Sequence, residues 1–99
     1  MQNPSVVVLI RFKSSLPLNE AMHIAEQRAP QFRALTGLVQ KYYLFDEAKG
    51  EFGGLYMWDS AESFKAFRES ELRATIAEAY KLEGEARIEV YQNMLTLRE

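Results

Sequence analysis

Two hydrophobic rhythms alternate along the chain: dense apolar runs, and segments whose apolar positions recur every three or four residues. Residues 5–13 read as a first strand, with Val6, Val7, Val8, Leu9, Ile10 and Phe12 apolar on both faces. A strand apolar on both sides needs cover on both sides. Pro17 then suits the first turn of a helix, and from Leu18 the apolar positions Ala21, Met22, Ala25, Ala29 and Phe32 form one buried stripe. Pro30 falls inside that stripe and is expected to kink the helix, or to end it and begin a second. Gly37 is placed to close the segment.

Residues 38–45 form a second strand, with Leu38, Tyr42 and Leu44 on one parity and Val39, Tyr43 and Phe45 on the other. Residues 46–50 make a hairpin turn ending in Gly50. The third strand, residues 51–58, carries Gly53-Gly54-Leu55-Tyr56-Met57-Trp58. Its paired glycines leave room above the sheet or a bend in it. Asp59 and Glu62 have capping-box spacing, so the chain turns from strand to helix within about one residue of Trp58. Helix is predicted over 60–69, burying Phe64 and Phe67. Ser70 starts another with the stripe Leu72, Ile76, Ala79 and Tyr80, which Gly84 ends. Residues 86–97 read as a long last strand.

The order is βαββαβ within a single domain, residues 1–99. Right-handed crossovers fold that order into an α+β, ferredoxin-like arrangement, a four-stranded antiparallel sheet with helices on one face. The helices cover one face only, and large apolar side chains remain on the other. A second copy related by a twofold axis is the simplest partner for such a face, so a homodimer is expected.

Composition narrows the function classes. A hydrophobic share of 47% and a charged share of 26% suit a globular protein. The net charge of -2, with both signs mixed along the chain, gives no basic patch for nucleic acid. The chain has no cysteine, which removes disulfides, thiol nucleophiles and thiolate metal sites together. No apolar run approaches the roughly 20 residues of a membrane span, and the N-terminus lacks the regions of a signal peptide. A cytoplasmic protein with no membrane or nucleic-acid partner is the expectation.

The stretch from Thr36-Gly37-Leu38 through Gly53-Gly54-Leu55-Tyr56-Met57-Trp58 into Asp59-Ser60-Ala61-Glu62-Ser63-Phe64 resembles the YdhR-like mono-oxygenases of the dimeric α+β barrel superfamily. The strand-end aromatic followed by Asp-Ser-x-Glu-x-Phe is common across that superfamily and speaks for fold more than chemistry. The resemblance implies a dimer whose two sheets form a barrel, with a pocket in each subunit between sheet and helices. Such relatives include cofactor-free oxygenases of electron-rich polyketide or quinol-like molecules, haem-degrading enzymes, isomerases and members without known activity. Fold alone therefore does not select the function.

Cofactor-free oxygenation needs an electron-rich substrate anion, polar groups to hold it ionised and a dry pocket. Trp58 is a pocket-wall candidate, because haem-degrading relatives place a functional tryptophan at the matching strand end; the alternative is a core aromatic. Tyr42, Tyr43, Tyr56 and Tyr91 lie on strands, and Tyr42 and Tyr56 are carried as substrate-pocket candidates against a packing role. Arg11, a charge in an apolar strand, either stabilises a substrate anion or pairs with Glu89. Asn93 either orients a substrate or satisfies a strand end. His23, the one histidine, lies off the buried stripe and should face solvent.

No metal or other cofactor is expected, given one histidine and scattered carboxylates. Haem degradation is disfavoured: the axial histidine of those relatives has no counterpart between Phe64 and Tyr80, nor their strand-one asparagine between Val6 and Phe12. Two function classes remain. One is a cofactor-independent mono-oxygenase acting on a small aromatic or polyketide-like molecule. The other is a non-catalytic small-molecule-binding or stress-associated barrel, with a purely structural dimer as a weaker third.

Overall fold

A computed structural model describes residues 3–98. Strand β1 (Val6–Ser14) leads to helix α1 (Leu18–Arg33), then to the hairpin of β2 (Leu38–Asp46) and β3 (Glu51–Trp58). Helix α2 (Ala61–Arg68) and two single-turn helices, α3 (Glu71–Ala74) and α4 (Ile76–Ala79), precede β4 (Leu82–Gln92). The four strands lie in the order β2-β3-β1-β4, every pair antiparallel. This is the ferredoxin-like α+β arrangement expected from the element order.

β1 lies between β3 and β4, which is why its run from Val6 to Ile10 is apolar on both faces. Val6, Val8, Ile10 and Phe12 point at the helices and are buried, whereas Val7 and Leu9, on the opposite face, stay half-exposed. The core closes over the first set with Ala21 and Phe32 of α1, Tyr56 and Trp58 of β3, Phe64 and Phe67 of α2, and Ile76 and Tyr80. Each large apolar side chain buried here contributes about 1.5–3 kcal/mol.

Helix α1 runs through Pro30 to Arg33 without a second start. Pro30 cannot bond the Glu26 carbonyl, but both residues are exposed, so water reaches the orphaned oxygen. Only the last turn is affected, and the Pro30 carbonyl still accepts from Ala34 N at 3.2 Å. Gly37 has a φ of 84° and sits against Ser63 and Asp59, where a side chain would collide. Its carbonyl accepts from Asp59 N at 2.8 Å, tying the start of β2 to the end of β3. The cap of α2 is Ser60, whose hydroxyl accepts from Ser63 N. That replaces the capping role expected of Asp59.

The last strand differs most from expectation. Lys81, in the left-handed conformation at φ 48°, ends the α4 turn, and β4 has already begun when the chain reaches Gly84. Gly84, at φ 76°, lies where the β1–β4 register shifts between Arg11 and Lys13; it serves a bulge rather than a helix end. β4 stops at Gln92 because its neighbour β1 begins opposite, at Val6. Beyond this point Asn93 N donates to Ser5 O at 2.8 Å, and Met94, Leu95 and Leu97 are exposed.

A second bulge matters more for function. Leu38 faces Trp58, yet Gln40 faces Met57, so β2 spends one extra residue between Leu38 and Gln40. Parity reverses there. Lys41, Tyr43 and Phe45 lie opposite Tyr56, Gly54 and Phe52 and share the helix-covered face. Tyr42 and Leu44 join the open one.

Candidate functional site

A cavity of about 260 Å³ lies between the sheet and the helices. Ile10 and Phe12 of β1 and Phe52, Gly54 and Tyr56 of β3 form part of its floor, and Lys41, Tyr43 and Phe45 of β2 one side. Ala21, Met22, Ala25 and Phe32 of α1 cover it, with Arg73 and Ile76 from the short helices and Tyr80 just after them. Gly54 is required by Tyr56: a Cβ there would come within 2.8 Å of the Tyr56 Cε1 atom. The absent side chain thus lets the tyrosine ring lean back along its own strand. Gly53 is required by the sheet, since its Cβ would meet the Ile10 carbonyl oxygen at 2.7 Å.

The aromatic residues are ordered along β3. Trp58 stacks on Tyr56 with centroids 6.3 Å apart and planes 3° from parallel, and meets Phe67 at 5.3 Å and Phe64 at 6.3 Å. It is 1% exposed and does not line the cavity; Tyr56 does. Offset aromatic contacts of this kind add about 0.5–1.5 kcal/mol beyond area burial. The structure therefore gives Trp58 a packing environment, and the cavity beside the glycines is lined by Tyr56 instead.

The other sequence candidates lie apart from the cavity. Tyr42 is half-exposed on the open face, carried there by the bulge. Arg11, also on that face, pairs with Glu89 at 3.0 Å, and Glu89 accepts from the Tyr91 hydroxyl at 2.6 Å. Asn93 donates from Nδ2 to Pro4 O and to Thr96 Oγ1, both at 2.8 Å, satisfying the end of β4. His23 is exposed on α1. Of the five candidates, only Tyr56 meets the cavity.

Sequence reasoning passed over Lys41, the most unusual group in the lining. Its Nζ lies 3.5 Å from the centroid of Phe32, 4.1 Å from that of Tyr43 and 4.6 Å from that of Tyr56. It makes no ion pair among the described residues. Burial, reinforced by the Arg28 guanidinium, lowers its pKa from 10.5 to about 7. The ring faces favour the ammonium by about 0.5–2 kcal/mol, which is less than the burial cost they oppose. Arg28 is held elsewhere, donating to Leu72 O at 3.1 Å and Thr75 Oγ1 at 3.0 Å. The available signal was a lone cation in an aromatic run, the same signal that singled out Arg11.

The remaining polar groups around the cavity are neutral donors or cationic. Burial pushes the Tyr80 phenol up to about 12 and the Tyr56 phenol higher still, so both keep their protons. The Tyr80 hydroxyl is buried without a hydrogen-bond partner among the described residues. Arg73 adds a second cation to the lining, which among the described residues contains no carboxylate and no histidine. Elsewhere among the described residues, no group of three or more His, Cys, Asp or Glu side chains is placed to hold a metal ion. No helix among them is long and apolar enough to cross a membrane.

Residues 7–97 match the family described as "Putative mono-oxygenase ydhR". The chain belongs to that family. Its fold is shared by a protein of unknown function from Nitrosomonas europaea, NE2512, at a TM-score of 0.76 and 16% identity, covering 100% of this chain and 98% of the other. SnoaB, a cofactor-independent oxygenase from Streptomyces nogalater, aligns at a TM-score of 0.75 and 18% identity over 97% of this chain and 99% of its own. A protein from Deinococcus radiodurans described as a putative antibiotic biosynthesis monooxygenase aligns at 0.72 and 15% identity, over 95% and 97%. At these identities the likeness is one of fold. No curated protein matches the chain.

Proposed function

We propose that this ydhR-family chain is a cofactor-independent mono-oxygenase acting on a small aromatic or polyketide-like molecule. The observation that carries the reading is the cavity: apolar, faced by aromatic rings and provided with a few polar groups. Its volume, about 260 Å³, sits at the small end of ligand pockets, which suits a planar substrate of a few rings. The family's description and the fold shared with a cofactor-independent oxygenase support the same reading.

In such a reaction the substrate supplies the electrons. A methylene flanked by conjugated carbonyl and aryl groups loses a proton, its carbanion reduces dioxygen, and the carbon becomes a carbonyl. The balance is R2CH2 + O2 → R2CO + H2O. The protein's part is to bind the ring system, exclude water and stabilise the anion. Oxygen uptake with a panel of anthrones and quinols tests this. Turnover should persist in excess chelator, and metal-dependent turnover would overturn the cofactor-free part.

One observation favours the second reading: among the described residues the lining has no carboxylate or histidine base, as suits a non-catalytic binding barrel. Tight binding of the same panel without oxygen uptake would select it.

Either reading involves a homodimer. Tyr42 and Tyr91 are exposed on the open sheet face beside half-buried Val7, Leu9, Leu55 and Met57. A second copy packed there would bury more than about 1,200 Å² in total. A monomer in sedimentation at micromolar concentration would overturn it.

A further inference from the structure

We propose that the cavity binds an acidic phenol or enol as its anion, with the Lys41 amine receiving the hydroxyl proton and remaining as the counter-charge. This deepens the mono-oxygenase reading and rests on it for the reaction that follows, but not for the binding.

The geometry carries the assignment. Lys41 Nζ sits within 4.6 Å of three aromatic centroids contributed by α1, β2 and β3, so the amine is fixed beside the surface on which a planar ligand would stack. Among the described residues the charges acting on this wall are cationic: Arg28 of α1 acts on Lys41 itself, Arg33 of α1 on Tyr43 and Arg73 of α3 on Tyr56, while Tyr43, Tyr56 and Tyr80 are phenols held neutral. Among the described residues no carboxylate lines the space to neutralise these cations. An unpaired cation in an apolar wall is costly, and an arriving anion removes that cost. The site therefore discriminates by charge as well as by shape.

The same surroundings make Lys41 a competent proton acceptor. With its pKa lowered to about 7, much of it is a free amine near neutrality, where an ordinary lysine is almost wholly ammonium. The transfer is simple: the substrate O–H bond breaks, its electron pair stays on oxygen, and a bond forms from the proton to Nζ. No oxidation occurs at this step. The product is an ammonium–phenolate pair in a cavity that Arg73 also lines, and the electron-rich anion is the species that dioxygen attacks. The Tyr80 hydroxyl, buried and without a partner among the described residues, is a further donor in the lining of the same cavity.

The probe is 3-nitrophenol, whose anion is yellow and which is largely un-ionised at about pH 7.5, above the Lys41 pKa. Wild-type protein should develop the phenolate band on binding with little proton released to a weak buffer, because Nζ keeps the proton. Lys41→Arg, whose guanidinium cannot accept one, should also bind the anion but release close to one proton per probe. Lys41→Met should lose the band and bind at least about tenfold more weakly. The methyl ether, 3-nitroanisole, should bind wild type and Lys41→Met alike. The proposal is overturned if wild type binds the probe un-ionised, if wild type and Lys41→Arg release the same proton count, or if Lys41→Met keeps the ionised probe as tightly as wild type. Oxygen uptake with anthrones separates the two readings. A phenolate band without uptake removes the oxygenase and leaves the anion site. Wild-type uptake in Lys41→Met removes the proton acceptor and leaves the oxygenase.

Discussion

Replacing Lys41 with methionine is expected to stabilise this protein, and by an amount that depends on pH. Methionine keeps the unbranched apolar stem against Phe32, Tyr43 and Tyr56 while removing the amine. The fall in pKa from 10.5 to about 7 would correspond to roughly 4–5 kcal/mol for a wholly buried amine. Lys41 is only partly buried, and solvent screening reduces this to about 1–3 kcal/mol. Below pH 7 the amine is protonated in both the folded and the unfolded chain, so the cost of its burial is present in full. Between pH 7 and 10.5 the unfolded chain holds a proton that the folded chain lacks, and wild-type stability rises with pH across that window. The advantage of Lys41→Met should therefore be greatest near pH 6 and shrink toward pH 10. In a domain of this size it should raise Tm by roughly 5–15 °C at the acid end. Thermal unfolding of both proteins at one concentration, across that pH range, measures it. A difference that stays constant with pH, or a less stable variant near pH 6, would refute the argument that burial perturbs this amine.

Trp58→Phe should cost about 1–3 kcal/mol in urea unfolding through the partial void it leaves, with ligand affinity little changed because the ring does not line the cavity. Gly54→Ala should push the Tyr56 ring off its own strand, lowering stability by about 1–3 kcal/mol and weakening binding of planar ligands; unchanged binding in a calorimetric titration would remove Tyr56 from the site. Tyr42→Asp, at a half-exposed position on the open face, should convert the sedimenting species from dimer to monomer without a large change in far-ultraviolet dichroism. Retention of the dimer would place the interface elsewhere.

The order and type of the elements follow from the sequence by itself, because they rest on local physics. The both-faced apolar run of β1 places it inside a sheet, the three-and-four spacing from Leu18 makes α1, and Gly37 and Gly50 stand where the backbone takes a positive φ. The family likeness was legible for the same reason, since its motif sits on the β3-to-α2 turn. The limits of β4 were less accessible: pairing with β1, not composition, decides where it starts and stops. The site was the least accessible of all. Along β2 the sequence offers two parities, each apolar or aromatic, and nothing local says which one faces the helices. One extra residue after Leu38 decides it. That bulge sends Tyr42 outward and turns Lys41 inward among three aromatic rings, where distance from water and nearness to Arg28 change its acidity. Both are properties of the assembled sheet and helices, and neither is encoded in any short stretch of chain.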